Sequence, residues 1–355
     1  TVLPSWAAVR QKRAARKESW SRFRQADSSQ VSRAAGFARI GPMTNRRRSQ
    51  PMPVKHWSFA GLMITYWCSA ECASCYLSCS PRRRGQDMTV EGALSLWEGL
   101  IAASPHGCRI HLTGGEPFGD WPKLIEICRR GKAAGMGPLE KVETNAFWAT
   151  DAALVRQRVA ELDEAGMGEF CISADPYHQQ FVPIERCRLA AAAAEEVIGR
   201  DRVQVRWRDW LADGFDTGEL SDEARAEVFA RYVAGGRERL CGRAADALAG
   251  GNVRKSWREY ADKHCAQAVL RSKHVHVDPD GLVMPGTCAG IVLGRAESCS
   301  DVAAVWRRLG DDFAARPIVG TLASRGPAGL AELAAEAGFA ARDGYASKCQ
   351  LCWDV

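Results

Sequence analysis

From residue 57 to residue 210, short apolar runs alternate with amphipathic stretches, and this alternation constrains the fold more than any other feature of the chain. WSFAGLMITY (57–66), CRIHLTG (108–114), LEKVETNAF (139–147), EFCISAD (169–175) and VQVRWRDW (203–210) read as strands. Between them lie TVEGALSLWEGLIAAS (89–104), with a Thr cap and Glu91 in its first turn, WPKLIEICRRGKAAG (121–135), DAALVRQRVAELDEAG (151–166) and IERCRLAAAAAEEVIG (184–199), all with helical spacing. Strands joined by helices of this length run parallel through right-handed crossovers, so the expected fold is α/β, a barrel or partial barrel. Functional residues of such folds sit where strands end and loops begin. The cysteine-rich loop after the first strand, GGEP after the second, ETNA and SADPYH all fall at such ends.

In VQVRWRDW, Val203, Val205 and Trp207 share one face, and Gln204, Arg206 and Arg208 share the other. The polar set is expected to face the lumen, with Arg206 placed to pair with a carboxylate. Beyond about residue 215 the pattern changes: one more helix (ARAEVFARYVAGG), a hairpin turning at Asp280-Gly281, helical pieces, and a terminal KCQLCW. The histidines of that hairpin, His274 and His276, read as an exposed strand face. The chain therefore divides into a basic, disordered tail (1–53), a barrel (54–235) and a small cysteine-bearing extension (236–355).

Charge matters here only by its location. The formal charge of +6 arises from residues 1–50, which hold twelve Lys or Arg against Glu18 and Asp27, while the remaining 36 basic and 40 acidic residues leave the folded part mildly acidic. That distribution argues against a nucleic-acid surface. There is no run of 18 apolar residues, and the N-terminus lacks the segments of a secretory signal, so a cytoplasmic protein with no membrane partner is expected. In that compartment fourteen cysteines point to metal or redox chemistry rather than to disulfides. Cys108, Cys128, Cys171 and Cys187, single within apolar segments, read as inert.

WCSAECASCYLSCSP (67–81) concentrates four of the cysteines. Thiolates at this spacing can surround one centre from a single loop, and soft sulfur ligands select iron-sulfur clusters or zinc. Four ligands filling a 4Fe-4S cubane, three ligands leaving one iron open, and a structural zinc all satisfy the spacing. The Thr113-Gly114-Gly115-Glu116-Pro117 run separates them. Its glycines allow backbone to approach a ligand and its carboxylate can take an ammonium group, for which an electron carrier or zinc module has no use.

CSAECASC after the first strand, GGEP after the second, and the strand-helix order over roughly 55–235 together resemble the radical SAM superfamily. The resemblance implies a partial (βα)6 TIM-type barrel. It implies that Cys68, Cys72 and Cys75 hold a 4Fe-4S cluster whose fourth iron is chelated by S-adenosylmethionine, and that Cys79 is spare. It also implies that Gly114, Gly115 and Glu116 bind the methionyl amino group, that Asn145 and Ser173 contact the ribose or carboxylate, and that Arg206 faces a carboxylate of the cofactor or substrate. Ser74 stands where many members carry an aromatic residue, which leaves the adenine contact open; Tyr76 follows the third cysteine instead.

Cys265, Cys288, Cys349 and Cys352, with the intervening hairpin, resemble Twitch and SPASM extensions, which bind auxiliary iron-sulfur clusters. One such cluster is the most this set supports; zinc on the same ligands is the alternative, with Cys241 or Cys299 as substitutes for Cys265. The resemblance implies reductive cleavage of S-adenosylmethionine, hydrogen abstraction from a peptide or protein side chain, and an external electron donor such as flavodoxin or ferredoxin. A small-molecule substrate is the alternative. A non-catalytic iron-sulfur carrier or zinc module is the alternative of another class.

Overall fold

Strand β1 (Phe59–Thr65) is apolar on nearly every position, and burial of both its faces makes it an interior strand. The computed structural model describes residues 54–85, 87–286 and 288–355; the tail expected over 1–53 lies outside them. On one side of β1 follow β2 (Arg109–Gly114), β3 (Leu139–Thr144), β4 (Met167–Ile172) and β5 (Val203–Val205), each parallel to the one before. Helices α1 (Val90–Ala102), α2 (Trp121–Ala133), α3 (Ala152–Glu164) and α4 (Ile184–Ile198) are the crossovers. Thr89, Asp120 and Asp151 cap the first three by accepting from the N–H groups of Gly92, Lys123 and Leu154. Each such cap is worth about 1 kcal/mol.

The sheet continues on the other side of β1, in the order β5-β4-β3-β2-β1-β6-β7-β8. Strand β6 (His274–Val277) pairs parallel with β1, and β7 (Leu282–Pro285) and β8 (Gly294–Arg295) complete it antiparallel. The hairpin is the expected one: the Asp278 carboxylate accepts from the N–H groups of Asp280 and Leu282, and Gly281 takes a φ of 76°. The fold is thus α/β with a mostly parallel, eight-stranded sheet of the partial-barrel kind. Its sixth parallel strand comes from the hairpin, so the region beyond residue 236 completes the same sheet. All described residues belong to one compact unit.

One expected strand is shorter than its alternation suggested. VQVRWRDW leaves the sheet after Val205 and enters a short helix, α5 (Arg208–Asp213). Trp207 and Trp210 pull the chain away, packing on Tyr232, while the Trp210 indole N–H donates to Gln179 at 2.9 Å. Burial of aromatic area outweighs continued pairing at a sheet edge.

Strand register sorts the side chains by face. Ala60, Leu62, Ile110, Leu112, Val142, Phe170 and Val275 are buried on the outer, helix-covered face. The inner face carries Gly61, His111, Lys141 and Glu169 in one row, because Gly61 pairs with His111, His111 with Lys141 and Lys141 with Glu169. The inner surface is therefore polar. Among the described residues no helix is long and apolar enough to cross a membrane.

Candidate functional site

The cysteine loop is closed at its neck by the backbone. The Trp67 N–H donates to the Thr65 hydroxyl at 2.9 Å, Trp67 bridges to Ser80, and the Cys68 N–H donates to the Ser80 carbonyl at 3.3 Å. Cys68, Cys72 and Cys79 are buried and Cys75 is half-buried. Arg243, at the start of α7 (Arg243–Ala247) beyond α6 (Asp222–Ala234), clamps the loop from outside. Its guanidinium donates to the carbonyls of Cys72 and Cys79, both at 2.6 Å, and its backbone N–H donates to that of Cys75 at 3.0 Å.

The thiols differ in what surrounds them. Cys79 donates its N–H to the Cys75 sulfur at 3.4 Å. A hydrogen bond from the Cys79 thiol, aided by the Arg243 cation, lowers the Cys75 pKa to about 6 against the opposing effect of burial. Cys79 itself is pushed well up, so the pair shares one proton with the charge on Cys75. Cys72 is hydrogen-bonded by His178. His178 Nδ1 lies 2.7 Å from Asp175 Oδ2, and Asp175, fully buried, lies 3.2 Å from Arg206 Nε. Burial opposes ionisation of Asp175, but His178 and Arg206 override it and hold the carboxyl at about 2. Arg206 also pairs with Glu238. The carboxylates that Arg206 meets are thus Asp175 and Glu238.

GGEP locks the end of β2 onto the cysteine loop. The Gly115 and Glu116 N–H groups donate to the Thr65 and Trp67 carbonyls at 2.7 and 2.8 Å. A Cβ on Gly115 would stand 1.9 Å from the Trp67 carbonyl oxygen, and one on Gly114, whose φ is 131°, 2.4 Å from that of Thr65. Only glycine permits this approach. The Glu116 carboxylate is fully buried and accepts from the Thr144 hydroxyl (2.9 Å), the Asn145 N–H (2.6 Å) and the Phe118 N–H (3.1 Å). Burial outweighs these hydrogen bonds and raises its pKa to about 7. Asn145, held at the end of β3 by that carboxylate, points its amide at the Cys68 sulfur (3.5 Å) and the Ser69 hydroxyl (3.1 Å). Gly114, Gly115, Glu116 and Asn145 therefore gather at Cys68. Ser173 reaches the Thr144 carbonyl with its N–H at 2.9 Å, placing it beside Asn145 at the neighbouring strand end.

The C-terminal cysteines are gathered as well. Burial raises Cys352, whose charge would be opposed by Cys265, Cys288, Cys349 and Cys241. Cys241 thus joins the expected four, and its pKa is pushed up by burial to about 12. Cys299 is elsewhere: it starts the helix Cys299–Asp312, and its N–H donates to Ser95 on α1 at 3.0 Å. A tetrahedral zinc-thiolate site draws its sulfurs to within about 3.8 Å of one another. No three of these thiols, nor of those in the first loop, converge within 4.8 Å. A basic cleft of about 500 Å³, lined by Lys55, Arg239, Arg271 and Lys273, opens beside Cys288.

A third cluster, of His111, His274 and His276, carries no local signal in the sequence. His274 and His276 are not an exposed face: His276 is 3 % exposed, His274 is half-buried, and both meet His111 across β1. They turn inward because β6 pairs with β1, a long-range pairing that local alternation does not reveal.

Comparison with protein-family models and with curated protein sequences gives no match. Among solved structures, the chain is similar to BtrN in complex with AdoMet and 2-DOIA (16% identity, 74% of this chain and 88% of that one, TM-score 0.43). It is similar to native anSMEcpe with bound AdoMet and the Cp18Cys peptide (12% identity, 75% and 84%, TM-score 0.41). It is also similar to Streptococcus suis SuiB bound to S-adenosylmethionine (13% identity, 76% and 68%, TM-score 0.34).

Proposed function

We propose that this chain is a radical SAM enzyme, with Cys68, Cys72 and Cys75 holding a 4Fe-4S cluster and S-adenosylmethionine completing it. The observation that carries this reading is the division of labour in the loop: Cys79 donates a hydrogen bond to Cys75, leaving three thiols as metal donors. The donor set fits the cluster, being soft, held on one loop, and spread wider than a single ion allows. Beside Cys68, the buried Trp67 indole N–H has no hydrogen-bond partner. The bound cluster supplies reductive cleavage of the sulfonium to a 5′-deoxyadenosyl radical, with an electron from an external donor such as flavodoxin or ferredoxin.

The chain's own residues prepare that site. Arg243 and the protonated His178 place positive charge beside the thiolates, and Asn145 donates to the Cys68 sulfur. Hydrogen bonds to ligating sulfur tune the redox potential of such a centre. Glu116 fixes Asn145, and Gly114 and Gly115 keep backbone close to where the methionyl amino group would lie.

The substrate in this proposal is a peptide or protein side chain. A small molecule is the second reading, favoured by the cleft of about 500 Å³, which is within the range of small-ligand sites. The five C-terminal cysteines are proposed to carry one auxiliary iron-sulfur cluster. Anaerobic reconstitution with iron and sulfide, followed by dithionite and S-adenosylmethionine, should release 5′-deoxyadenosine. A reconstituted protein that releases none is an electron carrier or a structural metal module.

A further inference from the structure

Three imidazoles converge on the inner face of the sheet, where the His276 ring lies 6.2 Å from that of Tyr76, the residue after Cys75. His111 on β2 and His276 on β6 flank Gly61 of β1 at the same register level, and His274 lies one inward position earlier on β6. Their ligand atoms all fall within 4.8 Å of one another, and His111 Nε2 is 3.0 Å from His274 Nε2. Three nitrogens around one tetrahedral zinc ion stand about 3.3 Å apart.

The other ring nitrogens are aimed at acceptors. His276 Nδ1 is hydrogen-bonded to the Gly286 carbonyl oxygen at 2.5 Å. His111 Nδ1 lies 3.2 Å from Glu143 Oε1, and Glu143 is held in turn by the Thr113 hydroxyl at 2.6 Å and by Lys141 at 2.8 Å. The Gly286 carbonyl places a proton on His276 Nδ1, so its Nε2 presents a lone pair, and the Glu143 carboxylate beside His111 Nδ1 favours the same tautomer there, with His111 Nε2 accepting from His274 Nε2. Both lone pairs open onto the space above Gly61. A Cβ on that glycine would stand 2.5 Å from His111 Nε2 and 2.7 Å from His276 Nε2. Gly61 has no positive φ, so space, rather than backbone conformation, excludes a side chain here. A strand interior normally loses stability with glycine. Here the glycine makes room for the converging imidazole edges.

We propose that His111, His274 and His276 bind one divalent transition-metal ion of the zinc type, with Glu143 orienting His111. Imidazole donors without thiolate suit such ions, and a carboxylate behind a ligating histidine is the usual support. Three protein ligands leave a fourth position facing the lumen. The site does not depend on the cysteine chemistry proposed above.

The test uses the full-length protein with its cysteine sets first filled by anaerobic iron and sulfide reconstitution and then given zinc, with zinc content measured after gel filtration and ligands read by zinc K-edge absorption. The expected result is one zinc per chain with only nitrogen or oxygen scatterers at about 2.0 Å. His276→Gln should lose that equivalent. Glu143→Gln, which keeps all three imidazoles, should weaken binding about 10- to 100-fold and serves if the histidine variant fails to fold. Sulfur at about 2.3 Å in the bound zinc, equal retention by both variants, or no zinc retained by the wild type each overturns the proposal.

Discussion

Arg243 reaches across 171 residues to Cys72, donating to its carbonyl oxygen at 2.6 Å. The same guanidinium holds the Cys79 carbonyl, so the first cysteine loop is shaped by a residue from beyond the parallel strands β1–β5. Removing it leaves two carbonyls without their charged donor. Arg243→Ala should cost about 1.5–3 kcal/mol of stability in urea unfolding of the apo protein. It should also lower iron retained after anaerobic reconstitution. Arg243→Ala protein with wild-type stability and iron would show that the clamp is idle.

The Cys75–Cys79 pair makes a prediction for the metal-free chain. Cys75, at about 6, is mostly thiolate at pH 7, and thiolate is the form that alkylates. Iodoacetamide should therefore label Cys75 ahead of the other loop cysteines, with a rate that rises through pH 6. Cys79→Ala removes the donor and should move that rise to higher pH while leaving iron content intact. Cys75→Ala should lose the first loop's share of about four irons. Equal iron loss from both variants would return the loop to a four-cysteine carrier.

Glu116 gives stability a pH dependence of known sign. Its carboxyl titrates at about 7 in the folded chain, against about 4.3 when unfolded. The folded state therefore holds the extra proton between these values. Its contribution is complete below about pH 4.3 and is lost as pH rises through about 7, a total loss of about 4 kcal/mol. Glu116→Gln cannot titrate. Urea unfolding of the apo protein at pH 5 and pH 8 should show the wild type losing about 3 kcal/mol more than the variant over that interval. Identical losses would mean that Glu116 is ionised throughout.

The parallel core and its rim were legible because both are written locally. Apolar spacing marked β1–β4 and their helices, and Thr89 and Asp151 cap where the pattern starts. The CxxxCxxC and GGEP runs lie next to each other because consecutive parallel strands place their C-terminal ends side by side. What was not legible depends on contacts distant in sequence. Trp207 and Trp210 end β5 early by packing on Tyr232. The pairing of β6 with β1 turned two apparently exposed histidines inward, and only that register explains Gly61. Cys241 and Cys299 stood equal as substitutes for Cys265, and only the fold brings Cys241 to the C-terminal thiols while Cys299 joins α1.

Those C-terminal thiols yield the last prediction. Burial pushes Cys241 to about 12 and Cys288 to about 11, and also raises Cys265, so these thiols are protonated at neutral pH and must release protons to bind metal. Arg239 opposes that rise at Cys265 and Cys288, which favours an anionic thiolate centre there. A 4Fe-4S centre in this set predicts about eight irons per reconstituted chain, against about four for the first loop alone. Cys352→Ala should bring the count to about four while 5′-deoxyadenosine release persists. With Cys265, Cys288, Cys349 and Cys352 as the four ligands and Cys241 beside them, Cys241→Ala should retain about eight. A wild-type count of about four would remove the auxiliary centre and leave the first loop unaffected.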